Sequence, residues 1–375
     1  MAPTYGKPFL CYLLDRLVDA GIERIVLATG YKHDVIESYF NASYRGVEVI
    51  YSREDTPLFT GGAIVQAARR LQTDHFIVLN GDTLFDIDFE EFARAHEIKN
   101  ASITLALRAV EDTSRYGAVT CTDDGRIAAF NEKEASAGSG VINGGIYAIN
   151  RTWLLSQELP TKFSFEKELL QPLAGKEAIY GKCFETYFID IGVPEDYDRA
   201  RREFASIFPA DEFLFVDRDG VLNRHILGDY VRSWAQWEWL PGMPQRLAEC
   251  GAHYKRVFLV TNQQGVGKGR MSAADLADIH RHMLEDIEAA GGRIDNVYVC
   301  TDLESANSSF RKPAIGMALQ AQRDFPEVDF HRSIMIGDSF SDMLFARNAQ
   351  MRALYVTTKE NPVPEEVRDI TDLIL

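Results

Sequence analysis

A chain of 375 residues is long enough for two or three domains at the usual ~100–200 residues each. Hydrophobic residues make up 46% and charged residues 26%, which excludes a mainly disordered chain. No apolar run approaches the roughly 20 residues of a membrane-spanning helix, and a net charge of -16 argues against a nucleic-acid partner, which needs a basic face. No charged-then-apolar leader opens the chain. The cysteines Cys11, Cys121, Cys183, Cys250 and Cys300 are scattered and form no CxxC pair. Both features predict a cytoplasmic protein.

The first half alternates strands and helices. Lys7 to Ala20 has apolar residues at helical spacing and stops at Gly21, and Ile22 to Ala28 is a strand run. Asp34 to Phe40 is a short helix, Val47 to Tyr51 a strand, and Ala63 to Leu71 a helix opened by Gly61-Gly62. His75 to Leu79 is an apolar strand ending in Asn80-Gly81-Asp82. Ile103 to Val110 is another strand, and Gly117 to Glu132 reads as a hairpin around Asp123-Asp124-Gly125. This alternation predicts a parallel, doubly wound sheet with ligands at the carboxyl ends of its strands. A second α/β pattern starts at Phe213-Leu214-Phe215-Val216. It repeats a strand followed by a polar turn at Val257 to Val260, Val297 to Cys300 and Ser333 to Ile336. We expect two doubly wound, Rossmann-like α/β domains, residues 1–207 and 208–375.

The sharpest signal is Phe215-Val216-Asp217-Arg218-Asp219-Gly220-Val221-Leu222-Asn223. Alone, two acids two residues apart before a glycine could be a solvated turn. Three further elements come after it in order: Thr261-Asn262-Gln263 after a strand, Arg311-Lys312-Pro313 before a helix, and Gly337-Asp338-Ser339 after a strand, with Asp342 close behind. A nucleophilic carboxylate, a phosphate-binding hydroxyl, a cation and a metal-binding acid are the groups that phosphoryl transfer through an aspartyl-phosphate needs.

These motifs resemble those of the haloacid dehalogenase superfamily across residues 213–357. The resemblance implies Asp217 as nucleophile and Asp219 as the acid that protonates the leaving oxygen and then activates water. It implies Thr261 and Lys312 as holders of the phosphoryl oxygens, and Asp217, the backbone of Asp219, and Asp338 as Mg2+ ligands. Asp342 would orient Lys312 or the metal shell, or else be an exposed helix acid. DRDGVLN, Thr261 to Gly269, the RKP run and Gly228-Asp229-Tyr230-Val231 look most like heptose bisphosphate and histidinol-phosphate phosphatases. With no large insertion between motifs, the mouth should admit a small sugar phosphate. Asn262 and Arg311 are expected at the substrate, as is Lys268, which could equally be a solvated loop charge. Relatives often carry a structural zinc loop before RKP. Here only Cys300 remains, and Asp302, Ser308 and Phe310 stand where ligands would be, so no zinc is expected.

In the first half, Asp82 and Asp190 each come after an apolar run, and two carboxylates from separate strand ends can share a divalent metal that bridges nucleotide phosphates. Thr60-Gly61-Gly62-Ala63 lets a backbone approach a ligand at a helix start. Asn131-Glu132-Lys133 offers a cation, and Asn143-Gly144-Gly145-Ile146-Tyr147 offers amide hydrogen bonds. Each alone reads as a turn. The ordered set is similar to the sugar-1-phosphate nucleotidyltransferases, above all the heptose-1-phosphate guanylyltransferase branch. The resemblance implies Mg2+ on Asp82 and Asp190, Gly62 near the base, and Glu132, Lys133, Asn143, Gly145 and Glu166 at the sugar phosphate.

Two departures stand out. The family opens with a strand and a G-G-x-G-T-R-L loop, whereas Met1 to Phe9 matches the family only from just after those elements. Met1 is therefore expected to be an internal methionine, with the native start some 20–30 residues upstream; the competing reading is a decayed transferase kept as a scaffold. Phe59 also stands where relatives have glycine, which would crowd the base pocket. The expected function is a Mg2+-dependent heptose 1,7-bisphosphate 7-phosphatase fused to a heptose-1-phosphate nucleotidyltransferase favouring GTP and impaired in this chain. The rival is a histidinol-phosphate or other small-molecule phosphatase carrying a non-catalytic sugar-nucleotide-binding module.

Overall fold

The first nine residues carry a small piece of structure whose partners come from the far end of the chain. In the computed structural model, which describes residues 1–113, 118–130, 138–208, 211–226, 228–358 and 361–374, β1 (Pro3–Thr4) and β2 (Lys7–Pro8) pair around Tyr5-Gly6. The Tyr5 and Gly6 N–H groups donate to the Asp372 carboxylate at 2.9 and 2.7 Å. Arg352 Nε donates to the Tyr5 carbonyl at 2.9 Å, and its guanidinium lies 3.6 Å from the Tyr5 ring centroid. Gly6 sits at φ +84°, where a Cβ would come within 2.8 Å of Leu373, so only glycine fits the turn. Phe9 stacks on Phe204 at 5.8 Å, and Asp372 also pairs with Arg201 at 2.9 Å. The chain accordingly divides into Leu10–Asp198 and a second unit made of Met1–Phe9 with Arg199–Leu375.

The Leu10–Asp198 unit has two main sheets. One is ordered β3-β5-β4, from β3 (Arg24–Thr29), β4 (Ser43–Tyr44) and β5 (Val47–Arg53). Then come β6 (His75–Leu79), β7 (Thr83–Phe85), β8 (Ile103–Val110), the hairpin of β9 (Val119–Cys121) and β10 (Ile127–Phe130), β11 (Gly140–Asn150), β12 (Ile179–Cys183) and β13 (Phe188–Asp190). The larger sheet is ordered β12-β8-β11-β6. The expectation of a wholly parallel sheet needs amending here. β12 runs parallel to β8, but β11 is antiparallel to both β8 and β6. Parallel neighbours need a crossover, usually a helix, and among the described residues only the β9–β10 hairpin lies between β8 and β11. Ile103, Leu105 and Leu107 alternate along β8 and bury one face against Phe163, Phe165 and Leu170.

The second unit carries β14 (Phe213–Val216), β15 (Arg256–Asn262), β16 (Asn296–Cys300), β17 (Ser333–Gly337), β18 (Arg352–Tyr355) and β19 (Leu373–Ile374). They form one parallel sheet ordered β16-β15-β14-β17-β18-β19. β14 is central and buried at all four residues, which is why it reads as an unbroken apolar run. The chain leaves β14 towards β15 on one side and returns as β17 on the other. The crevice beyond its carboxyl end is therefore a topological switch point, where such sheets bind ligands. Among the described residues, no helix is long and apolar enough to cross a membrane.

Replacing Asp372 by Ala would strand the Tyr5 and Gly6 N–H groups and remove the carboxylate that pairs with Arg201. The Arg199–Leu375 unit should lose about 2 kcal/mol of stability, read as a lowered urea midpoint of its unfolding. An unchanged midpoint would show that the hairpin contributes nothing to that unit.

Candidate functional site

β14 delivers Asp217 to the sheet edge, and its N–H donates to the Ile336 carbonyl of β17 at 2.9 Å. Lys312 reaches the same point from a loop. Its Nζ donates to Asp217 Oδ1 at 2.7 Å and to the Val260 carbonyl at 2.9 Å, and lies 2.5 Å from Asp342 Oδ1. The loop itself is held by Asn262, whose amide bonds the Lys312 carbonyl and N–H at 3.1 Å each. Asn262 thus positions the cation and uses its amide in doing so. Asp342 is fully buried, not an exposed helix acid. It closes a capping box with Ser339, whose N–H and Oγ both donate to its Oδ2, and this folds its carboxylate inward.

Ligand oxygens of Asp217, Asp338 and Asp342 lie within 4.8 Å of one another. Burial pushes the carboxyls of Asp217 and Asp338 above the ordinary range, the neighbouring acids adding to the effect and Lys312 opposing it. Three half-compensated carboxylates around one ammonium suit a divalent cation with oxygen ligands. The Asp219 carboxylate is not part of this cluster. Gly220 is required beside it, because at φ +88° a Cβ would sit 1.9 Å from Asp338 Oδ2.

Asp219 accepts four hydrogen bonds from three donor groups. Arg218 Nη2 binds both its oxygens at 3.0 and 2.9 Å, Asn223 Nδ2 donates to Oδ1 at 2.9 Å, and Gln263 Nε2 donates to Oδ2 at 2.7 Å. Burial works against its charge, but Arg218, Asn223 and Gln263 outweigh it, and the carboxyl titrates below the ordinary range. Gln263 also donates to Thr261 Oγ1 at 2.9 Å, which leaves the Thr261 hydroxyl proton for a ligand. Arg218 is wholly buried and donates to His280 Nε2 at 3.2 Å. Arg218 can only donate, so His280 is neutral with its proton on Nδ1, and burial followed by the Arg218 charge lowers its pKa to about 4. Arg218, Asn223 and Gln263 were visible within the motifs without being assigned; His280, 62 residues away from Arg218, has no local signal.

At the rim, Lys268 Nζ donates to the Tyr230 hydroxyl at 3.0 Å, and Tyr230 lies over Gly265, where a Cβ would approach its ring to 2.9 Å. His225, half exposed, has Nδ1 3.7 Å from Asp338 Oδ2, and that carboxylate raises its pKa. Arg311 Nη1 is buried without a hydrogen-bond partner among the described residues. Cys300 is buried at the end of β16, Asp302 is exposed, and Phe310 packs against the core.

In the other unit, β13 pairs with β7 so that Asp190 stands opposite Thr83, and the Ile191 N–H donates to the Asp82 carbonyl at 2.9 Å. This brings Asp82 and Asp190 together. Burial, then the Asp190 charge, raises the Asp82 carboxyl above the ordinary range. Gly192 is close to both, with a Cβ there only 3.0 Å from Asp190 Oδ1 and 4.0 Å from Asp82 Oδ2. Gly145, at φ +75°, abuts Asn80. Asn143 and Glu166 are hydrogen-bonded to each other at 2.8 Å and share Tyr147, which sequence reasoning did not assign. Gly62 is needed for packing, because a Cβ would lie 2.3 Å from the Thr161 carbonyl. Phe59 is exposed at φ +57°, a conformation that favours glycine, with Lys162 Nζ 4.3 Å from its ring centroid. Glu132 and Lys133 lie outside the described residues.

Paired carboxylates at strand ends in each α/β unit are the groups that metal-assisted chemistry on phosphates needs. Residues 1–206 match the nucleotidyl transferase family model, and residues 309–371 match the HAD-hydrolase-like model. The D-glycero-alpha-D-manno-heptose 1-phosphate guanylyltransferase of Aneurinibacillus thermoaerophilus is 42% identical over 203 residues, 54% of this chain and 87% of that protein. The D-glycero-alpha-D-manno-heptose-1,7-bisphosphate 7-phosphatase of Mycobacterium bovis is 45% identical over 140 residues, 37% of this chain and 74% of that protein. The structure of HddC from Yersinia pseudotuberculosis complexed with GMP-PN matches with a TM-score of 0.50 and 34% identity, over 54% of this chain and 88% of that one. The chain belongs to the nucleotidyl transferase family in its first half and to the haloacid-dehalogenase-like heptose bisphosphate phosphatases in its second.

His280 and His96 share one consequence. His96 bonds His75 at 3.0 Å and Thr104 at 2.8 Å, and burial, then His75, lowers its pKa to about 4. The fold thus favours the neutral form of both rings. Their contribution is complete above pH about 6.5 and is lost as pH falls towards about 4, at up to about 1.4 kcal/mol per pH unit for each histidine. Denaturant midpoints at pH 7, 6 and 5 should fall, and His96→Gln with His280→Gln should flatten the trend. An equally steep fall in the double variant would refute the assignment.

Proposed function

We propose that the second half hydrolyses the 7-phosphate of D-glycero-α-D-manno-heptose 1,7-bisphosphate. The first half would then join the resulting 1-phosphate to GTP, releasing pyrophosphate. One observation carries the phosphatase reading: a buried Asp217 held by Lys312 and clustered with Asp338 and Asp342. The substrate is supported by the relatives, whose names describe consecutive steps on one sugar. The catalytic parts are residues 1–207 and 208–375, acting in the cytoplasm on small phosphates, with no nucleic-acid or membrane partner.

Asp217 attacks the 7-phosphorus, and the P–O bond to the sugar breaks as Asp219, which rests ionised and first takes a proton from solvent, gives that proton to the leaving oxygen. Water then attacks the aspartyl-phosphate while Asp219 takes its proton, and inorganic phosphate leaves. Thr261 and Lys312 hold the transferring oxygens, and the resting contacts of Asp219 suit its ionised, proton-accepting role. Asp217, the backbone of Asp219, and Asp338 would hold Mg2+, whose charge would let a carboxylate and a phosphate dianion approach despite their like charge. Asn262 acts through Lys312, and Arg311 and Lys268 would meet the distal phosphate. In the other unit Asp82 and Asp190 would hold Mg2+ on the nucleotide. Glu132, Lys133, Gly145 and Glu166 would meet the sugar phosphate, and Gly62 the base. Phe59 impairs this site, because its ring stands where the resemblance sets a glycine.

Phosphate release is to be compared on both heptose bisphosphate anomers, histidinol phosphate and simple sugar phosphates. The α-bisphosphate should be turned over fastest, and Asp217→Asn should reduce it by roughly a millionfold. Faster turnover of histidinol phosphate would overturn the substrate; appreciable activity in Asp217→Asn would overturn the nucleophile. Separately, Phe59→Gly relieves a left-handed non-glycine residue costing about 1 kcal/mol and should raise both thermal stability and the guanylyl-transfer rate. No gain in transfer would remove Phe59 as the cause of impairment.

A further inference from the structure

Glu166 is carried on a six-residue π-helix, Phe165–Leu170, capped by Ser164. Such turns are rare and frequently mark functional sites. Glu166 is exposed, yet its carboxylate cannot swing freely. Its Oε1 accepts from Asn143 Nδ2 at 2.8 Å and from the Tyr147 hydroxyl at 3.1 Å. The network has one consistent direction. The Gly145 N–H can only donate, and it donates to Asn143 Oδ1 at 3.1 Å, so the Asn143 NH2 faces Glu166. Both hydrogens of that NH2 are engaged, one by Glu166 and one by the Tyr147 oxygen at 2.8 Å. Tyr147 therefore has a single proton and gives it to Glu166. Its ring is buried and meets Phe165 edge to face at 5.1 Å, which fixes the hydroxyl.

Asn143 and Tyr147 are consumed within the network and present nothing outward. Glu166 does, because both bonds fall on Oε1 and Oε2 has no partner among the described residues. An ionised carboxylate only accepts hydrogen bonds and repels phosphate, so on a sugar 1-phosphate its partner would be a ring hydroxyl, the donor that such a molecule offers. The network joins the acidic pair directly. The Gly145 carbonyl accepts from the Asn80 N–H at 3.0 Å, and Asp82 lies two residues further on.

We propose that Tyr147, with Asn143, is a positioning residue that aims Glu166 Oε2 at a ring hydroxyl of the sugar 1-phosphate. This rests on the transferase reading of the first half. The test is calorimetric affinity of the full chain for D-glycero-α-D-manno-heptose 1-phosphate, and separately for GTP with Mg2+, in wild type, Tyr147→Phe, Glu166→Ala and the double variant. Tyr147→Phe removes one oxygen from an otherwise unchanged ring. It should weaken heptose 1-phosphate roughly tenfold, the worth of a hydrogen bond to a charged group, and leave GTP within twofold. In the Glu166→Ala background the same change should cost nothing, because its route is gone. An equal loss in both backgrounds, an equal loss for GTP, or no loss in Tyr147→Phe would overturn the proposal while the transferase reading stands. No wild-type binding of any sugar 1-phosphate would overturn that reading, and the proposal with it.

Discussion

The phosphatase half depends on one buried ammonium. Lys312 is almost wholly inaccessible and sits between Asp217, Asp342 and the Val260 carbonyl. A charge in such a place costs several kcal/mol unless partners surround it, and removing one partner leaves the others uncompensated. The constraint runs outward from there. Asp342 must be folded in by the Ser339 capping box, and Asn262 must fix the Lys312 backbone. β14, β15 and β17 must end level with one another so that Asp217 and Val260 both reach the same nitrogen. Packing, capping and sheet register therefore all serve the surroundings of Asp217.

A second layer holds Asp219. Its three donor groups come from the loop after β14 and from the turn after β15, and Nη1 of the buried Arg218 in turn bonds His280. The two acids of the DxD pair, two residues apart, thus live in opposite environments. Burial and neighbouring acids push Asp217 up, whereas hydrogen-bond donors draw Asp219 down. Such divergence would let one short loop carry both the proposed nucleophile and the proposed proton carrier.

The transferase half uses strand pairing to the same end. β13 returns beside β7 and sets Asp190 against Asp82, while the bend at Gly145 ties β11 to Asn80. Both halves place carboxylates at strand ends, where backbone polar groups are already satisfied and side chains can converge. The N-terminal hairpin packs in the phosphatase-like unit, so the transferase-like unit is joined through two chain crossings.

Much of this was legible in the sequence. The apolar run Phe213 to Val216, the acids just after it, and the acidic turns after β6 and β13 are local patterns whose chemistry comes from residue type and spacing. The two α/β halves and the elements that carry Asp217, Asp219, Thr261, Lys312, Asp338, Asp82 and Asp190 were determined at that level. Pairing across distance was decided only by the tertiary structure. Lys312 meets Asp217 across 95 residues, His280 meets Arg218 across 62, and Asp372 meets Tyr5 across 367. It also decided that Asp342 is buried, that β11 runs antiparallel, and that Asn143 turns its amide inward to Glu166. Periodicity and motif spacing report on neighbours along the chain. Burial and hydrogen-bond partners depend on which distant segments the fold brings into contact, and no local pattern contains that.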